Sequence, residues 1–142
     1  MKQFPSDNFR ILALLILTLA FISACEKRAD SISEMGVSFQ WNPAGTALDL
    51  NPEIRLSNVP PATHSFSVEL VDLDMKIYDH GSGVYAFDGS PVIPAGGLDG
   101  DYQGPHPPPG VIHRYEITVK ALDAAGTVIG EGCGIRQYPE PK

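Results

Sequence analysis

Cysteine is almost absent from this 142-residue chain, which has only Cys25 and Cys133. No framework of disulfides can hold it, so a hydrophobic core must. Basic residues are scarce as well: 10 Lys and Arg face 17 Asp and Glu, for a net charge of −7. A non-specific nucleic-acid binder needs a basic stripe to neutralise phosphates, and that class is excluded. There is no apolar run of about 18 residues to make a membrane-spanning helix. Beyond Cys25 the apolar residues nowhere keep a 3.6-residue period over a helix length. A Gly-x-Ser-x-Gly elbow, a phosphate-cradling loop and a dinucleotide fingerprint are all missing, so neither an enzyme nor a cofactor is expected. What the chain does have is 14 Gly and 13 Pro without a repeat, 43% hydrophobic residues and 19% charged ones. Those values are too ordinary for disorder and suit one turn-rich β domain.

The first 24 residues read as an export signal. Lys2 and Arg10 precede the apolar stretch Ile11 to Ile22, and the small residues Ser23 and Ala24 lead into Cys25. This is the charged, apolar and small-residue order of a secretory leader. Ile22-Ser23-Ala24-Cys25 resembles the lipobox of bacterial lipoproteins, which implies cleavage before Cys25 and lipidation of its thiol. An ordinary signal with a cysteine near its cut is the alternative. Glu26, rather than Asp, after the cysteine favours the outer membrane over retention at the inner one. Residues 25–36 are then a lipidated Cys and tether, and 37–142 the folded domain. The tether would hold the domain to the membrane while leaving it soluble. Cys133, alone in an oxidising compartment, reads as a buried structural thiol.

Period-two alternation marks the strands. Val37, Phe39 and Trp41 share a face before the Asn42-Pro43-Ala44-Gly45 cluster, and Ile54 and Leu56 share another. From His64 to Val71, Phe66, Val68 and Leu70 alternate with polar residues. Val84 to Phe87 is a shorter strand. Ile112 to Leu122 is the strongest, with Tyr115, Ile117, Val119 and Ala121 on one side. Asp123 to Gly126 then turns into a return strand at Thr127-Val128-Ile129, a hairpin. Gly130, Gly132 and Gly134 read as a bulged, glycine-rich edge. The class is all-β, an antiparallel β-sandwich.

Extending the inward parity reaches ionisable side chains. Phe66, Val68 and Leu70 continue to Asp72 and Asp74, and Val119, Ile117 and Tyr115 run back to His113. Charges at the end of a core face are costly unless paired or at a cavity mouth. They therefore mark either a small polar pocket or strand ends facing water at the rim. Gly104-Pro105-His106-Pro107-Pro108-Pro109-Gly110, stiffened by its prolines, would be a good wall for such a pocket. Asp72, Asp74, His80, His106 and His113 match no standard metal-site spacing, and no metal is expected.

In order along the chain, Asn51-Pro52-Glu53-Ile54, Asn58 to Phe66, Asp72-x-Asp74, Gly104-Pro105-x-Pro107-Pro108-x-Gly110 and His113-Arg114-Tyr115 resemble the phosphatidylethanolamine-binding protein family. The bacterial Raf-kinase-inhibitor-like branch is the most similar. The resemblance spans roughly residues 37 to 138. It implies a Greek-key β-sandwich with an anion pocket at one end, taking phosphate-like groups such as phosphoethanolamine heads. The ligand-binding residues it implies are Asp72, Asp74, His80, Gly104, Pro105, His113 and Tyr115, with Arg114 supporting the loop from outside. Leu73 stands where the family has proline, and no tryptophan follows His80. His106 stands where bacterial relatives often have cysteine. The resulting expectation is a lipoprotein of the bacterial envelope, facing the periplasm, that binds a small phosphorylated or anionic ligand. A protein-interaction or inhibitor module with an envelope partner is the alternative.

Overall fold

A computed structural model describes residues 32–43 and 46–140. The leader, Cys25 and most of the tether lie outside the described residues. Nine strands follow in chain order: β1 (Ser33–Glu34), β2 (Gly36–Phe39), β3 (Ile54–Ser57), β4 (Ser65–Asp72), β5 (Asp79–Ala86), β6 (Val92–Ile93), β7 (Asp99–Gly100), β8 (His113–Leu122) and β9 (Val128–Tyr138). They form a six-stranded sheet ordered β1-β9-β8-β4-β5-β7 and a three-stranded sheet ordered β2-β3-β6. No helix occurs among the described residues.

The alternation explains which faces meet. In β4, Phe66, Val68, Leu70 and Asp72 are buried, and in β8 so are His113, Tyr115, Ile117, Val119 and Ala121. These two strands pair antiparallel, residue for residue, from Ser65↔Leu122 to Asp72↔Tyr115. Their apolar residues pack against Phe39, Ile54, Leu56 and Ile93 of the smaller sheet. Each fully buried Val, Leu, Ile or Phe contributes about 1.5–3 kcal/mol relative to exposure. The expected two-layered sandwich is present.

Several details depart from the sequence reading. The folded domain starts before residue 37. Ser33 and Glu34 already pair with Gly130 and Glu131, and Met35 is buried in the core. That first pairing is parallel, so the large sheet is mixed at this edge. β5 begins at Asp79, well before Val84, because pairing with β4 on one side and β7 on the other outweighs its polar, glycine-rich sequence. Cys133 is exposed rather than buried, on the outward parity of β9 opposite Thr118. Partial burial and the carboxylates of Glu116 and Glu131 push its thiol pKa up, so it is a poor nucleophile.

The glycines of β9 begin beside a bulge, and beyond Glu131 that strand has no further partner on its outer side among the described residues, but they have a second role. They lie where the segment from Met35 to Val37 crosses the large sheet at backbone contact. A Cβ at Gly132 would overlap the Met35 carbonyl, and one at Gly134 would meet the Val37 carbonyl at 2.8 Å. Glycine is the one residue that lets these backbones approach so closely. Gly132→Ala is therefore expected to destabilise the protein by about 1–3 kcal/mol, the usual cost of forcing atoms into a packed site. Denaturant unfolding measures this, and a loss below about 0.5 kcal/mol would contradict the close approach.

Candidate functional site

The large sheet ends in a group of polar side chains, and the Asp72 carboxylate organises it. Asp72 closes β4 opposite Tyr115. One of its oxygens, Oδ1, accepts the amides of Asp74 and Met75, both at 2.9 Å, which turns the chain out of the strand. The other, Oδ2, accepts Nδ1–H of His113 at 2.7 Å. Asp72 is only 3% exposed and His113 only 7%. Burial alone would raise the Asp72 pKa. The bonds from His113 and the Asp74 and Met75 amides, with the Tyr115 hydroxyl nearby, outweigh burial and hold it below the usual carboxylate range.

Tyr115 is the centre of the group. The His80 ring lies edge-on to it with centroids 5.4 Å apart, and the His113 ring is 6.3 Å away. Trp41 packs edge to face on another side at 5.9 Å. Tyr115 is fully buried, and its hydroxyl has no hydrogen-bond partner among the described residues. It lies close enough to Asp72 to feel its charge but not in bonding geometry. Burial first, and then Asp72, push its pKa up, so the phenol keeps its proton. An unpaired buried hydroxyl costs about 1–3 kcal/mol and calls for an explanation.

The glycine-proline loop adds a second anchor. The Gly104 carbonyl accepts Nδ1–H of His80 at 3.0 Å and Nδ1–H of His106 at 3.1 Å. A carbonyl can only accept, so both imidazoles carry their proton on Nδ1 there. A Cβ at Gly104 would overlap the Leu48 carbonyl, which explains the glycine. Gly104 and Pro105 are both buried.

The structure thus brings Asp72, His80, Gly104, Pro105, His113 and Tyr115 to one end of the sandwich, and it separates Asp74 from them. The turn at Asp72 breaks the alternation that pointed Asp74 inward. Asp74 instead faces outward and pairs with Arg114, taking its amide at 2.7 Å and its guanidinium at 2.7 Å. The guanidinium bonds, then the amide, pull the Asp74 pKa down to about 2. Leu73 has a local role: its amide donates to the Arg114 carbonyl at 2.8 Å, a bond that a proline could not make. Among the described residues no group of three or more His, Cys, Asp or Glu is arranged to hold a metal ion.

Two members were not read from the sequence. Trp41 lies beyond the end of β2, its indole N–H donating to the Gln137 carbonyl at 2.7 Å. It gives the cluster an indole, although none follows His80. Tyr102 is buried, and its hydroxyl has no partner among the described residues. Their ring types were visible, but only the tertiary fold brings them to this end.

No family model matches the sequence, and no curated protein matches it significantly. Solved structures do. The chain is similar to E. coli YbcL, described as a new member of the mammalian PEBP family, with a TM-score of 0.55 and 19% identity over 78% of this chain and 100% of that one. It is also similar to a phosphatidylethanolamine-binding protein (PEBP) homologue, CT736 of Chlamydia trachomatis. There the TM-score is 0.57 and the identity 16%, over 77% of this chain and 99% of the other. The chain has the PEBP fold. In this PEBP-type sandwich the polar group occupies the end where β4 finishes and β8 begins.

The Asp74–Arg114 pair yields a pH dependence. The Asp74 pKa falls from 3.8 to about 2 on folding, so its contribution is complete above pH 4 and is lost as pH falls toward 2. Unfolding measured across that window is expected to show a shallower acid slope for Asp74→Asn than for the parent protein. An unchanged slope would mean that the pair does not stabilise the folded state.

Proposed function

We propose that this chain is a phosphatidylethanolamine-binding-type module that binds a small phosphorylated or anionic ligand at the Tyr115 cluster, without catalysing a reaction on it. The observation that carries the reading is the buried Tyr115 hydroxyl, a protonated donor without a partner between two histidines. Both histidines have Nδ1 committed, to Asp72 and to the Gly104 carbonyl. Their Nε2 atoms are the groups left to meet a ligand: a neutral ring accepts a P–OH there, and a protonated ring donates to a phosphate oxygen.

Asp72 shapes the preference. It has accepted three hydrogen bonds and keeps about one of its four acceptor positions. Its negative charge disfavours a bare dianion and favours a zwitterion whose ammonium offsets it, as in phosphoethanolamine. The leader and Cys25 support a lipid-anchored location, in the outer membrane and facing the periplasm.

A protein-interaction role is the second reading, and one observation favours it. Met75, Ile77 and Tyr78 after β4, with Val111 and Ile112 before β8, are exposed apolar residues at this same end, and Ile77 is 95% exposed. Patches of that kind mark contact surfaces.

Calorimetric titration with phosphoethanolamine separates the readings. Saturable binding is expected, weakened by about tenfold or more in Tyr115→Phe, with stability equal to or above the parent's because an unpaired hydroxyl has been removed. Asp72→Asn is expected to weaken phosphoethanolamine more than inorganic phosphate. No binding by the folded parent, or unchanged affinity in Tyr115→Phe, would move the protein-interaction reading ahead.

A further inference from the structure

A cavity lies next to the Tyr115 cluster. It is a cleft of about 280 Å³, walled by Trp41, Leu48, Leu50, Tyr102, Pro105 and Tyr138 among others. That volume is near the lower end for small-molecule sites. Trp41 separates it from the cluster, packing on Tyr115 with one edge contact and on Tyr138 with another. The Trp41 and Tyr138 rings have centroids 5.5 Å apart and planes at 76°, so two aromatic surfaces stand nearly at right angles.

The polar inventory of the wall narrows what it can hold. No Lys, Arg, His, Asp or Glu is among the described residues that line it. The indole N–H of Trp41 is already bonded to the Gln137 carbonyl, so Trp41 offers the cleft its ring and not a donor. The amide donors of Asn42 are bonded to the Leu50 and Asn51 carbonyls, at 3.0 and 3.3 Å, and so are not free for a ligand. Tyr102, 6% exposed, has a buried hydroxyl with no hydrogen-bond partner among the described residues. An anion would meet no positive group here. A primary ammonium would lose its hydration shell and meet no carboxylate, only neutral oxygens such as those of Asn42, Thr46 and Tyr138. A methylated ammonium needs no acceptor, because its surface is apolar and its charge is spread, and aromatic faces attract it through their quadrupoles. The net charge of −7 adds a long-range attraction for cations.

We propose that this cleft is a binding site for a methylated, quaternary ammonium group of the choline type. The cleft shares Trp41, Tyr102 and Pro105 with the cluster but none of Asp72, His80, His113 and Tyr115, and its probes carry no phosphate, so the proposal can fail separately from the anion reading.

Trp41 is the only tryptophan in the chain, so its emission reports on the cleft directly. The experiment is a titration of the full chain with choline chloride, against sodium chloride and against 3,3-dimethylbutan-1-ol, the uncharged carbon isostere of choline. A saturable change in emission with choline is expected, with affinity for the isostere lower by about tenfold. Tyr138→Leu should weaken choline binding by a similar factor and Tyr138→Phe should retain it, with strand content checked by circular dichroism. Should Tyr138→Leu fail to fold, the choline-to-isostere ratio in the parent protein still decides. An emission change that choline and sodium chloride share, equal affinity for the isostere, or undiminished choline binding by folded Tyr138→Leu would each overturn the proposal.

Discussion

The Asp72 carboxylate is the group on which one end of the sandwich depends. Its Oδ1 ends β4 by capturing the next two free amides, and its Oδ2 holds His113 at the start of β8. The same side chain therefore stops one strand, aligns its neighbour and sets the tautomer of an imidazole. Leaving such a group buried without partners would be costly, and its three hydrogen bonds are what make burial tolerable. The outward Asp74–Arg114 pair closes the same turn from the solvent side, so the two acids of Asp72-x-Asp74 divide the work between interior and surface.

Tyr115 is held between that anchored end and the smaller sheet. Trp41, backed by Phe39, reaches it because the segment from Met35 to Phe39 crosses β9 at backbone contact, over glycines. Arg136 of β9 donates from Nε to the Phe39 carbonyl and ties the crossing segment down near its end. The close packing of the layers and the geometry around Tyr115 thus have a common origin in the small residues of β9.

Much of this was legible in the sequence, for a definite reason. β4 and β8 are half-buried antiparallel strands, and their period of two carries from Phe66 to Asp72 and from Ala121 back to His113 without interruption. Parity fails at Asp74 because a side-chain hydrogen bond, which no periodicity records, turns the chain at Asp72. It fails for β5 because a polar strand between two partners is specified by those partners. Gly130, Gly132 and Gly134 announced something unusual, but whether a glycine marks an edge or a crossing depends on what lies above it. Cys133 shows the same limit: its place on the outward parity of β9 outweighs the general preference of cysteine for the interior. His80, Gly104 and Pro105 were named through family likeness, and the fold brings them to Tyr115. Trp41 and Tyr102 come from segments that no local pattern links to that end.

In the proposed reading, His113 and His80 are held by their Nδ1 protons so that Nε2 of each is left for a ligand beside Tyr115. Long-range ¹H–¹⁵N NMR of the four histidine side chains, before and after phosphoethanolamine, tests it most directly. In their neutral forms His113 and His80 should both show the Nδ1–H tautomer. Their Nε2 resonances should move on titration while those of His64, at the far end of β4, stay still. An Nε2–H tautomer at His113, or Nε2 signals indifferent to a ligand that binds, would contradict the account.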